Sequence, residues 1–377
     1  MTAPSLADLQ GPQVHAVLAR LRESEPVAWV PALGAWLVTR RDLALAAMRD
    51  ASTFTVDDPR FSTARVVGPM MLSVEGAEHD RHRAPFAAPF RLKPVRERFG
   101  DVVLAETDAL IDALPSSRPA DLRRGLAGPL AAAIVMHALG LAAADRDAVL
   151  GWYERIVASV SGIAAGEAPT PQGTAAFGEL ARAIEGALDG ESLVAAAASA
   201  DGGLSREEVV SNAAVLMFGG IETTEGMIAN ALLHLLTNPG ELARVRAEPS
   251  LVPGAVEESL RLEPAAATID RYATRDVEFG GAPIRAGDLV TISIAAANRD
   301  PSVFADPDRY DVTRDNARLH LAFAHGPHVC IGMHLARLEA HAAVGRVLER
   351  LPELQLAEPA APTGLVFRKP PELRVIW

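Results

Sequence analysis

Apolar residues recur at helical spacing along most of the chain. Residues 77–113 and 120–164 show this spacing and are rich in Ala, Leu, Arg and Glu, which favour helices. From Ser205 onwards the pattern predicts one long helix, because Ser205 and Glu208 form a capping box and Asn238-Pro239 supplies a stop signal. This helix is apolar on most sides, so we expect it to cross the core.

Strand patterns occupy shorter parts of the chain. Residues 26–72 combine short apolar runs, such as "AWLVTR", with Pro, Gly and Asp, and the stretch "RDVEFGGAPIRAGDLVTISI" alternates between Gly turns. Residues 351–377 predict a hairpin with a long tip. The predicted fold class is mainly α with a smaller β-rich lobe. A length of 377 residues allows either one large domain with lobes or two domains.

Charge and cysteine content exclude some classes of protein. The net charge of -12 argues against nucleic acid as a partner, since phosphate contacts need a basic face. One cysteine allows no intrachain disulfide, which agrees with a reducing compartment. The first residues lack a signal-peptide pattern, and no window reaches the roughly 18 apolar residues of a membrane span. We therefore expect a cytoplasmic protein without a membrane anchor.

The single cysteine, Cys330, lies in "HGPHVCIG", where the glycines and proline predict a rigid turn before a helix. An isolated cysteine is more often a small buried hydrophobe, but a helix N-terminus lowers the pKa of a thiol. The stretch therefore favours a thiolate, which serves as a nucleophile, a zinc ligand or an iron ligand. Zinc would need further N or S ligands, and the nearby histidines lack the usual spacing: His320, His325, His328 and His334.

A polar interruption, "GGIETTE", lies in the middle of the long helix. Gly219 and Gly220 each cost about 1 kcal/mol in a helix interior, so they need a structural reason. One interpretation is close packing of a second helix. The other is a local opening that admits a small molecule, where Thr223 donates a hydrogen bond to the Gly219 carbonyl and forms a proton-delivering acid–alcohol pair with Glu222.

A third motif, "GAVEESLRLEP", places Glu258 and Arg261 three residues apart on one helix face. If exposed, such a pair contributes little to stability. Arg309, in "FADPDRY", would complete a buried cluster with them.

These three motifs, in this order and at these separations, resemble those of the cytochrome P-450 family of haem-thiolate monooxygenases, in its soluble bacterial form, over residues 72–377. The family signature Phe-Gly-x-Gly-x-His-x-Cys-x-Gly matches residues 323–332, except that Ala324 replaces the usual glycine, a change expected to tighten the loop. The resemblance implies a single domain, 1–377, with the long helix over a haem and the cysteine loop beneath it. Its expected parts are a strand-rich part (26–72), a helical body (77–262), a mixed strand and loop part (263–320), the haem-ligand loop with its helix (321–350) and the hairpin (351–377).

The resemblance also implies residue roles. Cys330 would be the proximal ligand of the iron of haem b, where its thiolate promotes cleavage of the bond in O2. Glu222 and Thr223 would relay protons to the activated oxygen. Glu258 and Arg261, with Arg309, would be structural. Haem propionates need cationic or hydrogen-bonding partners; the haem-binding residues implied, besides Cys330, are His79, Arg83, Arg271, His328, Gly219 and Phe323.

By analogy with the family, a small set of residues lines the substrate pocket: Ile221, Ala267, Thr268, Ile269, Val366 and Phe367. Residues 54–72 and 164–173 would form its roof, in which Arg60 and Arg65 are candidates for contact with an acid. The expected reaction inserts one atom of O2 into an apolar small molecule, by hydroxylation or epoxidation, in natural-product tailoring.

Electrons would come from outside the chain, since we expect no fused reductase. NAD(P)H would supply them through a ferredoxin reductase and a ferredoxin that docks on a monomer of this protein. The predicted docking patch is basic, although a solvated helix face explains it equally well: Arg81, Arg83, Arg91, Lys93, Arg96, Arg98 and Arg337. A peroxide-driven enzyme and a catalytically silent haem-fold module that recruits a carrier protein are the alternatives. The acid–alcohol pair argues against both, and the cysteine against the second.

Overall fold

A computed structural model describes residues 3–115, 118–141, 144–164, 167–188, 192–199 and 203–377. Most of these residues are helical and a minority form small sheets, which confirms the mainly α fold class with a smaller β-rich lobe. Among the described residues, none of the helices is both long enough and apolar enough to cross a membrane.

The helices lie mainly between residues 76 and 262 and again after residue 332. In chain order they are α1 Leu6–Gln10, α2 Val14–Ser24, α3 Arg41–Arg49, α4 Ala64–Val67, α5 Gly76–Ala87, α6 Leu92–Asp112, α7 Gly128–Leu139, α8 Arg146–Ala164, α9 Pro171–Ala187, α10 Leu193–Ala198, α11 Arg206–Thr237, α12 Pro239–Ala247, α13 Val252–Leu262, α14 Ile294–Ala297 and α15 Met333–Arg350.

The strands form one larger and two small sheets. They are β1 Val27–Val30, β2 Ala35–Val38, β3 Phe54–Thr55, β4 Ala120–Asp121, β5 Thr268–Ala273, β6 Val277–Phe279, β7 Ala282–Ile284, β8 Leu289–Ser293, β9 Gln355–Leu356 and β10 Arg374–Ile376. The five-stranded sheet has the order β1-β2-β8-β5-β3, with β2 and β8 parallel and the other pairs antiparallel. The C-terminal strands β9 and β10 pair with each other, and β10 also pairs with β4.

Helix α11 is the predicted long helix, and its start and end agree with the prediction. Ser205 is the N-cap and forms the capping box with Glu208, and Asn238 is the C-cap. Most of its residues are buried, because it packs on α7, α9, α13 and α15. The core therefore surrounds α11, and one face of this helix remains open to a cavity.

Candidate active site

A cavity of about 770 Å³ separates α11 from the cysteine loop. Its lining is mainly apolar and comes from the region around α4, from α7, α8 and α11, from β5, and from the C-terminal hairpin. Cys330 is exposed to this cavity, and Thr223 lines the α11 side. The two motifs that are 107 residues apart in sequence therefore meet at one space.

The ligand loop, which we define as residues 321–332, holds Cys330 through its backbone. The Cys330 amide donates a 2.9 Å hydrogen bond to the Phe323 carbonyl. Gly326 has a φ of +77°, and a Cβ there would lie 2.3 Å from the Met48 carbonyl oxygen on α3. Ala324, the position that departs from the usual glycine, has a φ of +56°. Only glycine adopts that conformation without strain, so Ala324 is a strained residue near the cysteine.

The environment of the thiol differs from the prediction made from the helix N-terminus. Helix α15 starts at Met333, with Gly332 as its N-cap, so Cys330 precedes the helix instead of forming its first turn. Burial raises the pKa of the Cys330 thiol, while the Gly332 amide and the charges of Arg83 and Arg337 oppose this rise. The prediction of a lowered thiol pKa was therefore wrong for the protein without a metal ion at the thiol. A bound metal ion would itself deprotonate the thiol.

Charged side chains of α13 and α15 contact the ligand loop and hold it in place. The Arg337 guanidinium lies over the Phe323 ring at 4.4 Å and donates to both Glu257 carboxylate oxygens at 2.6 and 3.0 Å. His320 contacts the same carboxylate at 3.3 Å. Burial alone would raise the pKa of Glu257, but the hydrogen bonds and charges of His320 and Arg337 outweigh burial and lower the pKa to about 2. We call Glu257, His320, Phe323 and Arg337 the loop clamp.

The two glycines in the middle of α11 have different surroundings. A Cβ on Gly220 would lie 2.4 Å from Val135 Cγ2 on α7, so this glycine permits close helix packing. Gly219 has no neighbour within 4 Å of such a Cβ, lines the cavity, and accepts a 2.6 Å hydrogen bond at its carbonyl from the Thr223 hydroxyl. The helix stays α-helical through this stretch. The packing interpretation therefore applies to Gly220. At Gly219 the predicted hydrogen bond from Thr223 is present, but the helix is not locally opened.

Glu222 does not line the cavity, unlike its neighbour Thr223. It is buried, and its Oε1 atom lies 2.8 Å from the Nζ atom of Lys369 in the C-terminal hairpin. The same ammonium contacts Glu225, whose carboxylate also lies 3.0 Å from the Arg123 Nε atom. The acid of the predicted acid–alcohol pair is therefore held in an ion-pair cluster behind the cavity wall.

Arg83 and Arg271 line the cavity and form no ion pair with any acidic side chain of the described ranges. Arg83 donates to the Val329 carbonyl at 2.7 Å and Arg271 to the Asp270 carbonyl at 2.8 Å. Burial lowers the pKa of both guanidinium groups. A cation withdrawn from water without an acidic partner needs an anion. Arg271, which is buried, and Arg83, which is partly buried, therefore fit the propionates of a haem bound at Cys330.

His328 and His79 lie at the same end of the cavity. His328 lines the cavity, and its Nε2 atom lies 2.9 Å from the Glu75 carboxylate. The His79 ring is 4.5 Å from the His328 ring, and its Nε2 atom is buried without a hydrogen-bond partner in the part of the chain that the structure describes. Burial and the neighbouring charges of His328 and Arg83 lower the pKa of His79. A buried nitrogen that lacks a hydrogen-bond partner, such as His79 Nε2, is suited to contact a polar group of a bound molecule.

The buried cluster around Glu258 has a different third member from the one predicted. Arg261 donates two hydrogen bonds to Glu258, at 2.7 and 2.8 Å, and both side chains are fully buried. Arg314 completes the cluster, with its Nε atom 2.8 Å from Glu258 Oε1. The Arg309 side chain is 63% exposed, and only its carbonyl accepts hydrogen bonds from the two arginines. The prediction of Arg309 as the third member was wrong.

The predicted pocket residues divide into two groups. Thr268, Ile269, Val366 and Phe367 line the cavity. Ile221 and Ala267 do not: Ile221 is fully buried in the core formed with α8 and α9, and Ala267 packs against α1 and α2. Adjacent residues of a helix or strand point in different directions, so these two were misplaced.

The predicted roof is also partly revised. From residues 54–72, Arg60, Phe61, Arg65, Met71 and Leu72 are among those that line the cavity. In the second predicted segment, residues 165 and 166 lie outside the described residues, and residues 167–173 do not line the cavity. Val160 and Ile163 of α8 do so instead.

Four residues of the site and of the buried Glu258 cluster are missing from the prediction: Glu75, Arg314, Glu339 and Lys369. Glu339 lines the cavity from α15, and its Oε2 atom has no hydrogen-bond partner among the residues described. Burial raises its pKa well above the usual range. The helical spacing from Leu335 to Glu339 was the available signal, since it places an acid on an otherwise apolar helix face.

Comparisons with known proteins agree with this geometry. A family model described as Cytochrome P-450 matches residues 187–363. The chain is 36% identical to cytochrome P-450 107B1 of Saccharopolyspora erythraea, over 94% of this chain and 91% of that protein. The chain belongs to the cytochrome P-450 family. It is also 37% identical to cytochrome P-450 monooxygenase PikC of Streptomyces venezuelae, over 90% of this chain and 83% of that protein.

Solved structures of the cytochrome P-450 fold superpose over nearly the whole chain. CalO2 gives a TM-score of 0.90 at 31% identity and covers 100% of this chain and 99% of its own. P450BioI was solved in complex with hexadec-9Z-enoic acid ligated acyl carrier protein. It gives a TM-score of 0.87 at 29% identity and covers 97% of this chain and 98% of its own. This cytochrome P-450 is therefore an oxygen-incorporating monooxygenase that uses haem and O2.

Proposed function

We propose that this cytochrome P-450 inserts one oxygen atom from O2 into an apolar small molecule, by hydroxylation or epoxidation, in natural-product tailoring. The observation that carries the proposal is the cavity itself, where the Cys330 thiol and the Thr223 hydroxyl face one space whose remaining lining is mainly apolar. Relatives named 20-oxo-5-O-mycaminosyltylactone 23-monooxygenase and Nocardicin C N-oxygenase support the tailoring role.

We assign the residues as follows. Haem held by Cys330, with Arg83, Arg271, His79 and His328 at its propionates, supplies the oxygen-activating chemistry. Thr223 moves a proton at its hydroxyl oxygen into the cavity, because its side chain lines the cavity beside Gly219, whose carbonyl accepts its hydrogen bond. Glu222 supplies that proton from the cluster behind the wall. The apolar lining orients the substrate and excludes water.

The test of this assignment is Thr223→Ala. The variant should keep haem binding and reduction, but most electrons should appear as hydrogen peroxide instead of product, because proton delivery is lost. Thr237→Ala is the matched control, since Thr237 makes the same type of hydrogen bond to Leu233 on α11, at 2.8 Å, far from the cavity. If Thr223→Ala remained as coupled as Thr237→Ala, or turned over with peroxide alone at the wild-type rate, the assignment would fail.

We also propose that electrons come from NAD(P)H through a reductase and a ferredoxin, on a smaller basic patch than first predicted. Arg81 is paired with Glu78 and Glu208, Arg83 faces the cavity, and Arg337 belongs to the loop clamp. Arg98 lies over the Phe99 ring. The exposed residues that remain are Arg91, Lys93 and Arg96 at the start of α6, beside the exposed Leu92. Lys93 lies 3.7 Å from Glu97, but this pair is exposed to solvent and contributes little.

A charge reversal at Arg91 and Arg96 tests the patch, with a plant-type ferredoxin and its NADPH-dependent reductase as the probe. We expect reduction of the haem iron to slow about tenfold at low salt, with an unchanged spectrum after chemical reduction. Arg182→Glu on α9, which packs on α8 and α11, is the control and should leave the rate unchanged. Equal rates in all three proteins would exclude this docking patch.

A further inference from the structure

One arginine at the edge of the cavity, Arg65, forms neither an ion pair nor a side-chain hydrogen bond within the described ranges. It is exposed to solvent and also lines the cavity, so it lies at the rim. The other arginines of the wall are accounted for. Arg60 is paired with Asp58 through two 2.8 Å hydrogen bonds, and Arg83 and Arg271 fit the haem propionates. Arg65 therefore remains available to an anion from solution.

The acids of the cavity wall do not pair with this rim arginine. Asp270 accepts a 2.7 Å hydrogen bond from the Thr291 hydroxyl, and Asp288 accepts a 2.9 Å hydrogen bond from Trp36 Nε1. The third acid of the wall, Glu339, lies on α15 and forms no ion pair in the part of the chain that the structure describes. A negative partner for the rim arginine must therefore come with a bound molecule.

The backbone fixes the position of Arg65. Arg65 belongs to α4, and the carbonyl of Val67, two residues later, accepts a 2.6 Å hydrogen bond from Ser211 of α11. On the other side, Arg60 donates a 2.9 Å hydrogen bond to the Gly287 carbonyl, in the loop that leads into β8. The segment that carries both arginines is therefore held between α11 and the larger sheet.

Tyr272 of β5 supplies a hydrogen-bond donor at the same rim. It lines the cavity, is only 7% exposed, and has the Arg60 guanidinium 4.5 Å from its ring centre. Its hydroxyl forms no hydrogen bond with any residue that the structure describes. Burial raises the pKa of Tyr272 to about 12 against the opposing charges of Arg60 and Arg65, which both lie close enough to act on the phenol. A buried donor without a partner is suited to an acceptor on a bound molecule.

We propose that Arg65 and Tyr272 bind a carboxylate of the substrate at the rim, so that the substrate is an apolar molecule with an acid group at one end. The planar guanidinium matches the two oxygens of a carboxylate, and the phenol adds a third donor. The apolar body of the substrate then extends along the lining towards Thr223 and Cys330, which line the same cavity. This inference rests on the proposed monooxygenase function, whose substrate class it names.

Dodecanoate and methyl dodecanoate test the site in the holoenzyme, because they share one apolar chain and differ in the charge at its end. In calorimetric titrations, Arg65→Gln should weaken binding of dodecanoate about tenfold and Tyr272→Phe about threefold. Neither change should affect binding of the methyl ester, and Arg65→Lys should restore part of the affinity for the acid. Arg182→Gln is the matched control, since Arg182 is also exposed but does not line the cavity.

Three outcomes would overturn the proposal. Equal losses for acid and ester in Arg65→Gln would show that Arg65 only supports the shape of the roof segment. Unchanged affinity for dodecanoate in Arg65→Gln would show that the rim arginine is merely solvated. Tighter, Arg65-dependent binding of dodecyl phosphate than of dodecanoate would assign the site to phosphate instead of carboxylate.

The salt dependence provides a second readout. Affinity of the wild type for dodecanoate should fall as salt is raised, because salt screens the exposed guanidinium, and Arg65→Gln should lose most of this dependence. An equal salt dependence in both proteins would contradict the role of the charge. These titrations need no turnover, whereas the Thr223→Ala test measures coupling, so the carboxylate site and the proposed function can fail separately.

Discussion

The ligand loop and the roof segment, residues 54–72, enclose the same cavity but are held by different forces. The ligand loop is held by the charged loop clamp, by the bond from Arg83 to the Val329 carbonyl, and by close contact of Gly326 with α3. The roof segment is anchored near its end, where the Met71 amide donates to Asn212 at 2.8 Å and Ser211 donates to the Val67 carbonyl at 2.6 Å. Its start is held by the pairing of β3 with β5 and by the Val56 amide, which donates to Glu75 at 3.0 Å, and Arg60 donates to the Gly287 carbonyl at 2.9 Å. No side chain of the segment forms a buried ion pair like that of the loop clamp among the residues described. We propose from this contrast that the ligand loop positions the haem-binding cysteine and that the roof segment contributes to substrate choice.

The largest expected effect concerns the loop clamp. Glu257→Gln should destabilise the protein by about 3 kcal/mol at neutral pH, because it leaves Arg337 and His320 without their shared carboxylate. The lowered pKa of Glu257 means that its contribution is present above about pH 4.5 and is lost as pH falls towards about 2. The difference in unfolding free energy between variant and wild type, from denaturant titrations, should therefore shrink as pH falls. A constant difference would contradict the role of the ionised carboxylate.

The buried cluster around Glu258 gives the next effect. Arg314→Ala should cost about 2 kcal/mol, because it removes a charged hydrogen bond to the fully buried Glu258. Arg309→Ala is the matched control and should change the unfolding free energy by less than about 0.5 kcal/mol, since that side chain is mostly exposed. Equal losses in the two variants would show that the cluster is assigned incorrectly.

A smaller effect, of opposite sign, is expected at Ala324. Ala324→Gly should stabilise the holoprotein by about 1 kcal/mol, since glycine adopts a φ of +56° without the strain of a Cβ. Thermal unfolding of the two proteins at equal haem content measures the difference. If Ala324→Gly lowered the stability instead, packing of the Ala324 methyl group would stabilise the loop by more than the strained backbone destabilises it.

The smallest effect on stability is expected in the roof segment. Phe61 is half-buried and lines the cavity, so Phe61→Ala should leave the spectrum of the ligand loop unchanged. Binding of 4-phenylimidazole should weaken about fivefold through lost apolar contact. If Phe61→Ala shifted the absorbance spectrum but left the affinity for 4-phenylimidazole unchanged, the roof segment would affect the cysteine ligand and not the bound molecule.

The sequence predicted the features that depend on local spacing. The α11 caps and the bond from Thr223 to Gly219 follow from separations of three and four residues along one helix. The sequence could not predict in the same way which side chains are buried, or which residues distant in sequence they contact. Arg309 and Arg314 are both near the family motif, and only tertiary packing shows which side chain turns inward.

The contacts of Glu222 show the same limit over a longer distance. Lys369 is 147 residues away in sequence, and no pattern in "FRKPPE" links it to α11. Analogy with the family predicts Ile221 in the pocket, and its neighbours Gly220 and Thr223 do line the cavity. Ile221 itself faces the core, because a shift of one residue turns a helical side chain by roughly 100°. The acid–alcohol motif therefore identified the residues, and the fold determined which of them face the cavity.

Binding of the haem iron by the Cys330 thiolate can be tested by the absorbance spectrum of the reduced protein with bound carbon monoxide. We expect a Soret band at the long-wavelength position of a thiolate ligand in the wild-type holoprotein. Cys330→Ser should lose that band, even if it retains haem. A wild-type Soret band away from the thiolate position, or a Cys330→Ser protein that keeps the thiolate band, would show that Cys330 is not the thiolate ligand of the iron.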